Sequence, residues 1–338
     1  MTEEPFALKD RLFATPAWNR WIGRSVFSLS VIMCLYLGAT FWAARGDLMH
    51  AIRQLPIGAL PSVIGLVLLG WALRAGRWQY YVRRMQWHIP FHLSLIAFIA
   101  SFAFTATPGK VGEAVKSVLL RTRHNVSLAE GLGVLLVERL GDLLAVLVLS
   151  IGGLALLSDA IVYFVFAALL VVAMTVFVST RQIYIPILSL TARIPKLAAV
   201  AQKALRLLET GRTLLHPIPF LIGVGIAIIA WGCEGCAFHI LVRSFGVQTQ
   251  FLTSCSIYGV ATLVGALSAM PGGLGSFEVV MVLLLMRLGT TLAASTLLVV
   301  LFRFCSLWLG SFVGLLFLLC WLVFVSPANA TQTPGDSL

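Results

Sequence analysis

The sequence predicts an all-α polytopic membrane protein. Of its 338 residues, 59% are hydrophobic and only 11% are charged, and the mean hydropathy is +0.97. A soluble domain needs a more charged surface than this composition provides. Four uncharged stretches, 25–44, 160–180, 244–277 and 304–335, each reach the roughly 20 residues needed to cross a bilayer. Their number predicts several spans rather than a single anchor.

Basic residues set the expected orientation of the spans. They cluster before residue 25, around residues 74–84, and in a predicted loop from Arg181 to Arg212, where six Lys/Arg accompany one Glu. The positive-inside rule places all three clusters in the cytoplasm, together with both termini. The predicted order is a cytoplasmic segment 1–24, full spans near 25–44, 57–73, 128–157, 160–180 and 218–242, a sixth long helix that carries Arg303, and a disordered tail 326–338. Residues 25–325 then form one membrane domain.

The stretch TPGKVGEAVKS, residues 107–117, interrupts this pattern. If residues 91–107 simply crossed the bilayer, the basic residues after them would lie outside, against the positive-inside rule. We therefore predict a re-entrant hairpin that enters from the cytoplasm, breaks at Pro108-Gly109 and returns through a short amphipathic helix from Lys110 to Arg121. An interfacial helix on the cytoplasmic surface is the alternative.

A second copy of this motif, MPGGLGSFEVVMVLLL from Met270 to Leu285, favours the hairpin. The prolines and glycines of the two copies align at one constant offset, and a long helix with an arginine follows each copy, bearing Arg139 and Arg303. The predicted repeats are residues 91–157 and 251–323. Because an odd number of spans separates them, they would be inverted, as in transporters that bind substrate near the midplane between broken helices.

Charged residues inside apolar segments are the first candidates for a site, because each costs roughly 2.5–3.5 kcal/mol to insert. Glu138, Arg139 and Asp142 share one helix, and their spacing allows an ion pair between Arg139 and Asp142. They either form a functional site or only neutralise one another and pin a neighbouring helix. Arg303 has no acidic neighbour on its own helix. It is expected to need an anion, for which a lipid phosphate is the natural candidate.

The two proline-glycine loops supply a second predicted phosphate site. Glycines let the backbone approach a ligand closely, and the start of a short helix offers unpaired N–H groups and a positive dipole end. Tight turn geometry alone is the other explanation for these glycines. The substrate-binding candidates from the loops are Gly109, Gly112, Gly272, Gly273 and Gly275, with Lys110 and Lys116 beside the first loop.

Carboxylates near these loops are predicted to act in coupling or gating. Glu113 has Lys110 and Lys116 as helix neighbours, and we expect it to form salt bridges with them. Glu278 begins the second short helix, where an acid is also an ordinary stabilising choice. Glu234, alone among apolar residues, is a candidate proton site. Glu138 and Asp142 complete this group.

Arg74 and Arg77 share one helix face at the cytoplasmic end of the second span, close to several tryptophans. An interfacial anchor is one interpretation, since aromatic and basic residues concentrate at that depth, and capture of a lipid head group is the other. The net charge of +11 lies in short loops beside spans, which indicates anionic lipid rather than nucleic acid as the partner. No cofactor or metal is predicted, because a lone CxxC within a helix is a weak metal motif.

Three ordered motifs, PGKVGE, ERLGDLLAV and PGGLGSFE, resemble those of the lysylphosphatidylglycerol synthase transmembrane region, a flippase-like family of bacteria and archaea. The resemblance covers roughly residues 25–325. It implies the lipid-translocating part of such a protein, in a bacterial inner (plasma) membrane. In the full synthases a soluble aminoacyl-transferase domain follows, and we expect a stand-alone member without that domain.

We therefore predict a lipid flippase that is not an enzyme. The transported lipid would be an anionic phospholipid, a polyprenyl phosphate or a hopanoid, and assembly as a homo-oligomer stays open. The alternative is a membrane-embedded enzyme or an accessory subunit of lipid or glycan biosynthesis, such as hopanoid synthesis. The sequence has no DxD, HExxH or Walker motif, which disfavours the common membrane-enzyme chemistries.

Overall fold

The computed structural model describes residues 56–105, 112–124, 126–151, 161–268 and 270–321, and residue 38. Within these ranges the chain forms helices and turns without a β-strand, which confirms the all-α fold class. The predicted segment 1–24, span 25–44 and tail 326–338 lie outside the described residues. The same holds for Gly109 and Lys110 of the first loop.

Twelve α-helices follow one another in the described ranges. They are α1 Leu60–Arg84, α2 Phe91–Ala100, α3 Val115–His124, α4 Leu128–Ser150, α5 Ile161–Ser179, α6 Arg181–Ala192, α7 Pro195–Leu214, α8 Pro217–Ser244, α9 Phe251–Leu267, α10 Ser276–Arg287, α11 Leu292–Arg303 and α12 Leu309–Cys320. Short 3-10 segments occur at Ile57–Ala59, Ser101–Phe104 and Pro271–Gly273, and a π-helical turn, Phe304–Trp308, joins α11 to α12.

Three helices in the described ranges are long and apolar enough to cross a membrane. They cover Ile57–Arg84, Pro217–Ser244 and Leu292–Cys320, and the pair α5 and α6, bent by 72°, adds a fourth if it is counted as one span. α4 is 23 residues long but carries charges in its middle. The total of six full spans stays a prediction.

The basic segment between α5 and α8, predicted as a cytoplasmic loop between spans, forms two helices, and its side of the membrane stays a prediction. α7 is amphipathic: Leu208 and Gly211 are buried, while Lys203 and Arg206 are exposed. Its buried face packs against α4 at a glycine, where a Cβ on Gly133 would lie 2.5 Å from the carbonyl oxygen of Leu207. Amphipathic periodicity explains why this basic segment is helical.

α1 and α8 pack against each other as an antiparallel pair through small residues. Near one end of the contact, Tyr81 lies against Gly223, and further along α1, Gly70 lies against Ala230 and Glu234. A Cβ on Gly70 would stand 3.0 Å from the Ala230 carbonyl oxygen. Small residues allow helices in a membrane to approach this closely, and the close approach brings the polar groups of both helices into contact.

Each proline-glycine motif lies in the chain between two helices. α2 and its 3-10 extension precede residues 106–111, and a 3-10 turn at 112–114 leads into α3. The predicted start of the first short helix at Lys110 lies outside the described residues. The second break follows α9 and is described in full. Gly272, Gly273 and Gly275 have φ values of 60°, 69° and 86°, which L-residues with a Cβ rarely adopt.

The order of elements around the two breaks is the same, and the correspondence begins before them. α1 precedes the first broken pair as α8 precedes the second. Each of these helices ends in a turn with a positive φ, at Gln86 (56°) and Gly246 (80°). The buried Ser94 and Ser254 follow at equivalent places, and each bonds to a ring of the preceding helix, at 3.0 Å in both cases. The opposite orientation of the two halves in a membrane stays a prediction.

The orientation can be tested with single cysteines at exposed positions in a cysteine-free protein. Arg121, Arg206 and Gln248 are all exposed, whereas Lys116 is buried and unsuitable for labelling. We expect a membrane-impermeant thiol reagent to reach positions 121 and 206 from the cytoplasm and position 248 from outside, because basic segments stay inside. Labelling of positions 121 and 248 from the same side would contradict the predicted topology.

The glycine contact between α4 and α7 predicts a loss of stability on Gly133→Ala. The added methyl would collide with the backbone of α7, and overpacking of this kind costs about 1–3 kcal/mol. Gly225→Ala on α8 is the matched control, since a Cβ there meets nothing within 4 Å. Thermal unfolding in detergent should show a lower midpoint for Gly133→Ala alone, and equal midpoints would refute the tight packing.

Candidate functional site

A cavity of about 350 Å³ lies within the helix bundle. α1, α2, α3, α4, α8, α9, α10, α11 and α12 contribute to its wall, together with the turn at Gly272 and Gly273. Charged residues at the wall are Arg74, Arg77, Glu113, Lys116, Glu138, Arg139, Asp142, Glu234 and Arg303. The fold thus brings most of the charged residues predicted from the sequence to one place.

Each cation at the wall has a carboxylate partner. The ion pairs are Arg74 with Glu234 (2.6 Å), Arg77 with Asp142 (2.8 Å), Lys116 with Glu138, Arg139 with Glu113 and with Asp142 (both 2.9 Å), and Arg303 with Glu278 (2.6 Å). Paired charges are far less costly to bury than isolated ones. The site is therefore an electrically balanced network and not a cluster of free cations.

The expectation that Arg303 lacks an acidic partner is wrong. Its Nε donates to Glu278 Oε1 at 2.6 Å, and its Nη2 donates to the Gly272 carbonyl at 2.8 Å. The guanidinium carbon lies 4.3 Å from the centre of the Phe277 ring. The partner comes from the preceding helix α10, which the sequence neighbours of Arg303 could not reveal.

The charges of the first half, which runs from α1 to α4, are paired differently from the prediction. The Arg139–Asp142 pair within α4 is confirmed. Glu113, however, pairs with Arg139, and Lys116 pairs with Glu138, so the expected salt bridge between Glu113 and Lys116 is not the one formed. The Lys116 ammonium also lies 4.2 Å from the centre of the Trp78 ring, a cation–π contact,.

Arg74 and Arg77 lie at the cavity wall, so an interfacial anchor is the wrong interpretation for them. Arg77 is only 1% exposed, because α1 continues past the predicted end of its span and places both arginines against α4 and α8. Arg74 pairs with Glu234 and stacks on Trp231, with its guanidinium carbon 4.3 Å from the ring centre. Glu234 is accordingly paired, and it also accepts a hydrogen bond from Tyr258.

Several N–H groups of Arg74 and Arg77 have no hydrogen-bond partner among the described residues. These are Nε and Nη2 of Arg74 and Nε of Arg77. Buried polar groups are nearly always hydrogen-bonded, so unsatisfied donors on buried arginines need an explanation. A ligand or water in the cavity would supply the missing acceptors.

The rest of the cavity wall is mostly apolar, and seven of its residues are aromatic. It includes Trp71, Phe98, Phe102, Leu263, Phe277 and Phe302. Two aromatic residues that donate hydrogen bonds to the charged network were not predicted. Trp231 donates to Asp142 at 3.1 Å, and Tyr258 bonds to Glu234; their polar atoms within apolar helices were the signal that could have found them.

Of the glycines predicted to bind substrate, some line the cavity and others lie beside it. Gly272 and Gly273 line the cavity, whereas Gly275 begins α10 beside it. Gly112 lies in the turn before α3 and is not part of the wall. Glu278 reaches the wall through its bond to Arg303.

Comparison with known proteins agrees with this architecture. A UPF0104 membrane protein of Methanothermobacter thermautotrophicus is 27% identical over 322 residues, covering 87% of this chain and 92% of that protein. Another UPF0104 membrane protein of that organism is 27% identical over 92 residues, or 27% of each chain. No solved structure gives a significant match. Residues 22–314 match the family described as Lysylphosphatidylglycerol synthase TM region, and the chain therefore belongs to that family.

Proposed function

We propose that the protein moves a phosphate-bearing lipid between the two leaflets, with the head group passing through the central cavity. The observation that carries this proposal is the wall of the cavity, which combines five cationic side chains with aromatic and aliphatic ones. A lipid joins the same two chemistries, a charged head group and an apolar chain. The family, named for a lipid synthase, is consistent with a lipid-related role in the membrane.

The charges at the wall are better explained by a ligand than by stability. Each charge in a membrane span costs roughly 2.5–3.5 kcal/mol on insertion scales. A buried ion pair often contributes no more stability than well-packed apolar residues of similar volume. A bundle that needed only to fold could have used apolar residues at these positions, so the network is expected to serve binding.

A phosphate could join this network by exchange with a carboxylate. Arginine presents a planar fork of N–H donors that matches two phosphate oxygens, and the cavity wall has four arginines. The unpaired donors of Arg74 and Arg77 could bind phosphate oxygens before any existing pair breaks. In the exchange, the arginine that binds the phosphate stays compensated throughout.

The arrangement of helices supports alternating access to this cavity. The two halves repeat the same order of elements, and their first helices, α1 and α8, cross as an antiparallel pair. Inverted repeats with broken helices are typical of transporters whose site lies near the midplane. Movement of one half against the other would expose the head-group site to each leaflet in turn.

Loss of Arg303 should impair translocation. In vesicles that contain the purified protein, Arg303→Ala should slow the movement of NBD-labelled phosphatidylglycerol about tenfold or more, because charge-assisted hydrogen bonds contribute about 1.5–3 kcal/mol. Arg303→Lys should recover only part of the rate, since lysine lacks the planar fork.

The control is Arg206→Ala, an exposed position on α7, which should move the lipid at the wild-type rate. Equal rates for Arg303→Ala and the wild type would show that Arg303 has only a packing role. A wild-type protein that accelerates no lipid, whether phosphatidylglycerol, a polyprenyl phosphate or a hopanoid, would refute the proposed function.

Loss of Arg139 should instead destabilise the protein. Arg139→Ala removes ion pairs from both Glu113 and Asp142, and breaking a buried pair from one side costs about 3 kcal/mol. The double variant Arg139→Ala/Glu113→Gln should regain part of that stability, because the buried charge that Arg139 neutralised in the wild type is then removed as well,. Unfolding in detergent measures the difference, and a double variant less stable than Arg139→Ala would contradict the pairing.

A further inference from the structure

The carboxylate of Glu278 occupies the position at which the second half of the site would bind an anion. Its Oε2 accepts the backbone N–H of Gly275 at 2.7 Å, at the start of α10. Its Oε1 accepts Nε of Arg303 at 2.6 Å. A helix start and an arginine are the two donors that proteins commonly combine to bind phosphate. Here the protein's own side chain fills that place.

The arginine of this position is held in place from three sides. Besides Glu278, it bonds to the Gly272 carbonyl at 2.8 Å and lies over the ring of Phe277. Arg303 is only 7% exposed, and it lines the cavity together with Gly272, Gly273 and Phe277. If Glu278 turned away, a rigid guanidinium and a free backbone N–H would remain, both directed at the same anion.

A second observation in the same cavity indicates that a ligand belongs there. Nε of Arg77 has no hydrogen-bond partner among the described residues, although that side chain is 1% exposed. Two N–H groups of Arg74 likewise have no hydrogen-bond partner among the described residues. The chain's own carboxylates thus leave donors of the cavity unsatisfied, and an additional acceptor such as a phosphate oxygen would satisfy them.

We propose that Glu278 is an internal competitor for the phosphate group: it neutralises Arg303 in the empty protein and is displaced when an anionic head group binds. This inference rests on the proposed function and deepens it. It states that the site recognises a phosphate anion, and that Glu278 weakens the binding of that anion. The side chain of Glu278 is 14% exposed, so it has an open direction in which to turn. The exchange of one anion for another keeps Arg303 compensated throughout.

An internal competitor suits a transport site better than a free arginine would. Sites that conduct or carry a substrate must bind it well enough to enter and weakly enough to leave. A carboxylate that returns to Arg303 promotes release of the phosphate. It also prevents an isolated buried charge between transport cycles, which would be strongly destabilising.

Glu278→Gln separates the charge of this side chain from its capping role. Glutamine keeps an oxygen that can accept the Gly275 N–H, but it competes only weakly for Arg303. We expect the variant to bind dihexanoyl phosphatidylglycerol, a soluble short-chain lipid, at least about threefold more tightly than the wild type, since a charged competitor is removed. Inorganic phosphate serves as a second probe, and tighter binding of both probes would show that the anion alone is recognised.

Glu130→Gln is the matched control. Glu130 also caps a helix, accepting the backbone N–H of Ser127 at 3.3 Å at the start of α4, but it is not part of the cavity wall. Its replacement should leave the affinity for both probes unchanged. A Glu278→Gln protein that binds neither probe more tightly, or an equal gain in Glu130→Gln, would overturn the proposal.

A second variant and a second measurement keep the two proposals distinguishable. Glu278→Asp keeps the charge but is too short to reach both donors, and it should gain less affinity than Glu278→Gln. Lipid translocation is measured separately on the same preparations. If Glu278→Gln binds the probes more tightly but the wild type translocates no lipid, the role of Glu278 as a competitor is supported and the proposed function is refuted. If the wild type translocates lipid but Glu278→Gln binds the probes no more tightly, the proposed function is supported and the role of Glu278 is refuted.

Discussion

A charge buried in a membrane protein must be paired, and this requirement organises the centre of the molecule. Each cation at the cavity wall reaches a carboxylate on another helix or in another segment. Arg74 joins α1 to α8, Arg77 joins α1 to α4, and Lys116 joins α3 to α4. The helices therefore cannot separate without stranding a charge. The same pairs that hold the bundle together also line its cavity, so structure and candidate function depend on the same side chains.

The broken helices depend on this network more than the continuous ones do. A half-helix such as α10 has only 12 residues and begins after three glycines with positive φ, so its own backbone specifies its position weakly. Glu278 fixes its first turn to Arg303 of the following helix. Irregular backbone at membrane depth is tolerated where protein surrounds it, and here an ion pair supplies part of that surrounding structure.

Hydropathy predicted the long apolar helices, because it is encoded in neighbouring residues. The start of α4 also has a local signal that was not part of the prediction, the capping box of Ser127 and Glu130,. The partners of the charges could not be predicted in this way. Glu278 lies 25 positions before Arg303 and Glu234 lies 160 positions after Arg74, so only the packing of helices brings them together. The glycine motifs suggested a repeat, but the correspondence of α1 with α8 was not recognised from the sequence, because its clearest sign is the positive-φ turn that ends each helix.

The two halves of the site are not equally constrained, and this difference bears on where an incoming anion would bind. In the first half, Lys116 and Glu138 are fully buried against each other, and Asp142 is paired with Arg77 as well as Arg139. In the second half, Phe302 and Ser306 stand at the positions that correspond to Glu138 and Asp142. Among the described residues, Arg303 is paired with a single carboxylate. An anion that displaces Glu278 breaks one ion pair, whereas an anion at Arg139 must disturb a connected set. Exchange therefore costs less at Arg303, and the second half is the favoured place for it.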